Sequence, residues 1–288
     1  MDAKQAFPSI APDLQSVEAE LAGQARAIVA DWGRDGASAE GLQRVIGHVF
    51  AGKGKLLRPA LVLLSAGLAR PGEARRSRSG PTLVRLATAV ELLHSASLVH
   101  DDIIDGEPLR RGQATLNRRY GDHTAVLVGD LLYARCFSLL SSLELPRWQE
   151  HQQIFTLFFR TTQAMCLGEI REQQVLETGS RVGFEEYLII LRNKTAELMS
   201  ACCRAAAIAC GAPGQLTAAL AEFGLSFGLA FQLLDDAADR DALVEEGADL
   251  HSAAQANLAR ARELLAGLAP GPCRDELEAA CSLVLAAP

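Results

Sequence analysis

The 288-residue sequence has no Lys/Arg-rich run, no Cys-x-x-Cys and no lysine after Lys194. With a formal charge of −7, the lack of clustered positive charge excludes nucleic acid as the main partner, because neutralising phosphates requires such clusters. The seven cysteines, two of them adjacent at Cys202-Cys203, have neither zinc-ligand spacing nor the pattern of a disulfide framework. They read as reduced thiols in a helical core. No uninterrupted apolar run approaches the ~18 residues of a membrane span, and the start at Met1 lacks the apolar stretch of a secretion signal. No transmembrane segment and a cytoplasmic location are therefore expected. Strand-like alternation is missing as well, which leaves an all-α fold. With 49% hydrophobic residues the chain can bury one large core, so a single domain over residues 1–288 is expected.

What the sequence does contain is helical periodicity. Apolar residues recur at helical spacing over Leu14–Asp31, Ala39–Phe50, Thr82–Asp105, His123–Leu143, Arg147–Leu176, Phe184–Cys210, Leu216–Asp239, Leu250–Leu268 and Arg274–Leu285, and Pro59 suits the first turn of a helix running to about Leu68. The Arg- and Ser-rich segment Arg70–Gly80 reads as a loop. Gly224 and Gly228, four residues apart, form a small strip suited to close helix packing.

The chain is organised around Asp101-Asp102-Ile103-Ile104-Asp105, which closes the most secure helix. There Asp101 and Asp105 lie one turn apart on one face, with Asp102 just round the cylinder. Three like charges repel, and a multivalent hard cation offsets this: Mg²⁺ takes oxygen ligands, combining one or two carboxylates with substrate phosphates. The pattern returns as Asp235-Asp236-Ala237-Ala238-Asp239. Two such clusters facing each other across a cavity would hold a diphosphate through several ions.

Other residues point to the same chemistry, each with a plainer alternative. The turn Ala51-Gly52-Lys53-Gly54-Lys55 leading into Leu56-Leu57-Arg58-Pro59 can present backbone N–H groups, Lys55 and Arg58 to an anion, or is a solvated basic turn. His94 lies two turns before Asp101 on its face, or is a core histidine. Arg110 and Arg111 either grip phosphate or merely neutralise the aspartates. The polar group Arg192-Asn193-Lys194-Thr195 interrupts an apolar helix, and Gln232 stands one turn from Asp236.

Together these motifs resemble the trans-isoprenyl diphosphate synthase (polyprenyl synthetase) family. The likeness rests on Gly54-Lys55-Leu56-Leu57-Arg58-Pro59, His94, the first aspartate cluster, Arg110-Arg111-Gly112, Lys194-Thr195 and Phe231-Gln232-Leu233-Leu234 before the second cluster, all in the family's order. The resemblance implies an antiparallel helical bundle around a central cavity, usually a homodimer. It implies three Mg²⁺ held by Asp101, Asp105 and Asp235, with Asp102, Asp236 and Asp239 in supporting places. Asp101, Asp102, Asp105, Asp235 and Lys194 would carry catalysis. Arg110, Lys194, Thr195 and Gln232 would line the diphosphate of an allylic substrate, and Lys55, Arg58, His94 and Arg111 that of isopentenyl diphosphate. The allylic C–O bond would ionise, isopentenyl diphosphate would attack head to tail, and a proton would leave. Small residues at Ala96 and Ser97, where bulky aromatics stop short products, imply a product longer than farnesyl diphosphate.

Two departures stand out. After the second cluster comes Arg240-Asp241-Ala242-Leu243-Val244-Glu245-Glu246-Gly247 in place of the family's lysine-containing loop, and Glu172 stands where glutamine is common. The alternatives are a weakly active or non-catalytic subunit of a heteromeric synthase, which the missing lysine suggests, and a class I terpene cyclase, which has no need of a second diphosphate site.

Overall fold

A computed structural model describes residues 3–33, 39–51, 54–70, 79–239 and 243–285. The chain runs through α1 (Ala3–Ala6), α2 (Ala11–Gly33), α3 (Glu40–Ala51), α4 (Leu57–Ala69) and α5 (Pro81–Ile104). A two-stranded hairpin follows, β1 (Leu109–Arg110) and β2 (Gln113–Ala114). Then come α6 (Leu116–Tyr120), α7 (Asp122–Ser141), α8 (Trp148–Thr178), α9 (Phe184–Leu191), a π-helical turn (Arg192–Ala196) and α10 (Glu197–Ala209). The last helices are α11 (Gly214–Asp239), α12 (Leu250–Ala266) and α13 (Pro272–Leu285). The fold is thus all-α apart from the hairpin. Most of the expected Arg70–Gly80 loop, Gly52 and Lys53 of the basic turn, and Arg240, Asp241 and Ala242 after the second cluster lie outside the described residues.

The chain divides into two compact units, Met1–Ala60 with Arg78–Glu144, and Leu61–Ser77 with Leu145–Pro288. In the first, α5 packs along α7 and α2. Gly80 caps α5 and Pro81 opens it, where a proline sacrifices no helical hydrogen bond. Gly106, at φ +66°, ends it just after the aspartates. On α7, Ala125, Val128, Gly129, Leu132, Cys136 and Leu139 form the buried stripe of an amphipathic helix.

The hairpin is a small addition to the all-α fold. Leu109 pairs with Ala114 and Arg110 with Gln113, so the turn is Arg111-Gly112, with φ of +53° and +77°. Positive φ at both central residues is the type I′ geometry that matches strand twist. Strands of two residues are too short to display a period of two, so only the glycine betrayed the turn.

In the second unit α11 packs against α10, α12 and the π-turn. The glycine strip behaves as its spacing predicts: a Cβ on Gly224 would sit 2.5 Å from Met199 O, and one on Gly228 2.7 Å from Ala196 Cα. The helix expected over Phe184–Cys210 is not continuous. It widens at Arg192–Ala196, where one extra residue is accommodated in a π-turn, a feature that recurs at functional sites.

Three helices, Pro81–Ile104, Asp122–Ser141 and Gly214–Ala238, are long and apolar enough to cross a membrane by length and composition alone. The first is interrupted by Glu91 and His94, and 67% of its most apolar window is buried inside the protein.

Because both sites lie inside helices, two glycine substitutions separate packing from propensity. Gly47→Ala in α3, where nothing lies within 4 Å of the added carbon, is expected to raise stability by about 0.5–1 kcal/mol. Gly224→Ala gains the same propensity but drives a methyl into the α10 backbone, and is expected to lose about 1–3 kcal/mol net. Denaturant midpoints check both, and equal shifts in the two variants exclude the close approach.

Candidate active site

The first unit gathers cations around two buried carboxylates, Glu91 and Asp102. Arg58, in the first turn of α4, places Nη1 2.9 Å from His94 Nε2 on α5. A guanidinium only donates, so the His94 ring accepts at Nε2 and is neutral. Burial foremost, then the charges of Arg58 and Arg111, hold His94 well below its ordinary value of 6.5. Glu91, one turn earlier, is buried; burial raises its carboxyl above the ordinary range, against the pull of Arg58 and Arg111. The backbone reaches this pair at Gly54, where a Cβ would lie 2.9 Å from Glu91 Oε1 and 3.3 Å from Arg111 Nη1. Lys55, the next residue, is exposed.

Within the first aspartate cluster the three carboxylates differ. Asp102 is buried, and its Oδ1 accepts from Arg110 Nε at 2.5 Å. Burial holds its carboxyl above the ordinary value while Arg110 acts in the opposite direction. Asp101 is half-buried and Asp105 exposed. The 100° step of the helix turns Asp102 toward the hairpin and leaves Asp101 and Asp105 on a neighbouring stripe. Asp102, Glu91, Arg110 and Arg111, with Leu98 and Phe50, line a cavity of about 320 Å³ inside this unit. Ala96 is fully buried and Ser97 donates its hydroxyl to His94 O at 2.9 Å; neither lines that cavity.

The second unit assembles its own network. Thr195 Oγ1 donates to Gln232 Oε1 at 2.9 Å, and Gln232 Nε2 donates to Asp236 Oδ1 at 2.7 Å. The Tyr187 hydroxyl donates to the other oxygen of Asp236. Burial foremost, with Asp236 adding to it, pushes the Tyr187 phenol well up, so it stays a donor. Asp235 is exposed at the same helix end, and the side chain of Asp239 lies outside the described residues. Lys194 pairs with Glu169 at 2.9 Å and with Glu172 more closely. Burial works to lower the Lys194 pKa, but the two carboxylates outweigh it and hold the amine charged. Beyond the second cluster the chain is pinned by backbone bonds between Val182 and the Leu243–Glu245 segment.

Among the described residues no three acidic, histidine or cysteine side chains converge closely enough to hold a metal by themselves. Mg²⁺ usually takes one or two carboxylates and completes its shell with phosphate and water, so the donor set still suits it. Asp102 is engaged by Arg110, and Asp236 by Gln232 and Tyr187.

Comparison with known proteins agrees with this chemistry. Residues 39–247 match the polyprenyl synthetase family model. The chain belongs to the polyprenyl synthetase family. Heptaprenyl diphosphate synthase component 2 of Geobacillus stearothermophilus is 35% identical over 243 residues, 83% of this chain and 67% of that one. Octaprenyl diphosphate synthase of Haemophilus influenzae is 34% identical over 196 residues, 68% of this chain and 55% of that one. The matched stretch thus spans about half to two thirds of these curated relatives. Among solved structures, a decaprenyl diphosphate synthase from Rhodobacter capsulatus superposes with a TM-score of 0.77 at 25% identity, covering 98% of both chains. A geranylgeranyl pyrophosphate synthetase from Pyrococcus horikoshii shares the fold with a TM-score of 0.81 at 22% identity, again over 98% of both chains.

For a polyprenyl synthetase, three contributors here escaped sequence reasoning. Glu91, Tyr187 and Glu169 carry no motif or spacing that sets them apart from other polar residues in apolar helices. His94 offers a direct check of the site. The unfolded chain takes up a proton at His94 near pH 6.5 that the folded chain refuses, so this residue's contribution to stability is lost as pH falls below about 6.5. His94→Gln is expected to flatten that part of the stability profile. An imidazole that titrates near 6.5 by NMR in the folded protein excludes the assigned Arg58 contact.

Proposed function

We propose that the chain is a trans-prenyltransferase that condenses isopentenyl diphosphate with an allylic diphosphate to give a product longer than farnesyl diphosphate. The observation that carries this reading is the pair of Asp-Asp-x-x-Asp clusters, each ending a long helix and each with its middle aspartate tied down by the protein's own donors. The names of the relatives, from geranylgeranyl to decaprenyl diphosphate synthases, support a chain-elongating activity.

Asp101, Asp105 and Asp235 are the ligands we assign to Mg²⁺, three ions in all, with Asp102, Asp236 and Asp239 in support. Bound Mg²⁺ neutralises the charge that builds on the departing diphosphate. Lys194, Thr195, Gln232 and Arg110 orient the allylic diphosphate, and preorganised donors of this kind favour charge separation. Lys55, Arg58, His94 and Arg111 take the isopentenyl diphosphate. Neutral His94 adds a hydrogen-bonding edge there without adding charge. Ala96 and Ser97 remain our assignment for the wall that limits product length. We further propose that the protein works in the cytoplasm as a homodimer.

A second reading, a chain active only beside a different subunit, is favoured by one observation: the relative at 35% identity is named as a component of its synthase. One assay separates them. With Mg²⁺, labelled isopentenyl diphosphate and geranyl or farnesyl diphosphate, the purified protein alone is expected to elongate, and chelation of Mg²⁺ to stop it. Asp101→Ala and Asp235→Ala are each expected to cut turnover by about a thousandfold or more with the fold intact by circular dichroism, the scale on which charge stabilisation at a reacting centre operates. Wild-type turnover in either variant overturns the metal assignment, and turnover only on adding a second chain favours the subunit reading.

A further inference from the structure

The proposed chemistry gives no role to Glu172, yet Glu172 holds the cation that chemistry needs. Glu169 and Glu172, three residues apart on α8, share one face, and Lys194 Nζ sits between their carboxylates. The three side chains are 13%, 19% and 27% exposed, so the charges are only partly screened. The lysine is fixed at its other end too. Gly168 lets α8 close on the π-turn, since a Cβ there would lie 2.8 Å from the Lys194 backbone nitrogen. The assembly is one cation between two anions, with a net charge of −1. Glu172 also helps burial and Asp236 to raise the phenol of Tyr187, the residue that donates to Asp236.

We propose that Glu172 is a positioning residue that keeps Lys194 in an internal ion pair against metal-free diphosphate and yields it when the anion arrives with divalent cations. The inference rests on the diphosphate reading above. A bare diphosphate approaching Lys194 meets an ammonium already outweighed by carboxylate charge. A metal-laden diphosphate brings positive charge that offsets Glu172, and Lys194 becomes available to phosphate oxygen. Glu172 thereby couples substrate entry to metal.

The test is the binding of inorganic diphosphate by calorimetry, in EDTA and in saturating Mg²⁺. Glu172→Gln, with Glu172→Ala as an independent removal of the carboxylate, is expected to bind in EDTA about tenfold more tightly than wild type, the scale of one partly screened charge pair. In saturating Mg²⁺ the difference is expected to shrink to about threefold or less. Adding Lys194→Gln to Glu172→Gln is expected to abolish the gain. No gain in EDTA, or a gain that survives loss of Lys194, overturns the proposal while leaving the diphosphate reading intact, provided wild type binds with Mg²⁺. Failure of wild type to bind even then overturns both.

Discussion

Carboxylates placed one turn apart at the end of an apolar helix repel one another, and the arrangement of both units follows from that repulsion. In each cluster the middle aspartate is drawn to a protein donor: Asp102 to Arg110, Asp236 to Gln232 and Tyr187. Truncating a partner of a group so far removed from water strands a charge, which costs more than the pair itself contributes. The hairpin brings Arg110 to Asp102, and the π-turn sets Thr195 against Gln232, which in turn holds Asp236. Neither is regular helix, and each is held by glycine: Gly112 at positive φ in one, Gly168 at close approach in the other.

Much of this was legible in the sequence. Helix positions emerged because a 3.6-residue period repeats over 12 or more residues in most elements, and the aspartate clusters are local in the chain. The Gly224/Gly228 strip declared itself by spacing. What stayed hidden was what depends on contact between distant segments. Glu91 and Tyr187 carry no mark that distinguishes them from any polar residue in an apolar helix, and their partners lie up to 49 positions away, as Tyr187 and Asp236 do. The inserted residue in the π-turn leaves no trace in periodicity, because the helices on either side are too short to fix their phase. Arg110 and Arg111 were visible as a pair, but their division of labour follows from the hairpin: Arg110 sits in a strand and pairs with Asp102, whereas Arg111 occupies the turn.

The balance of charge separates the two units. In the first, Arg58, Arg110 and Arg111 surround the acids Glu91 and Asp102, so cations are in excess around a neutral histidine. In the second, Lys194 alone faces Glu169 and Glu172, and acids prevail.

The widened turn at Arg192–Ala196 also sets a phase. Each residue advances a helix by about 100°, so the extra residue there fixes the rotation of α10 relative to α9. Excising a single position from the turn would rotate the following helix by more than a quarter of a revolution, swinging the backbone at Met199 out from under Gly224 and Thr195 away from Gln232 in the same step. Core registry and the Thr195–Gln232 hydrogen bond are thus written into one dislocation in the helix, and neither can drift without the other.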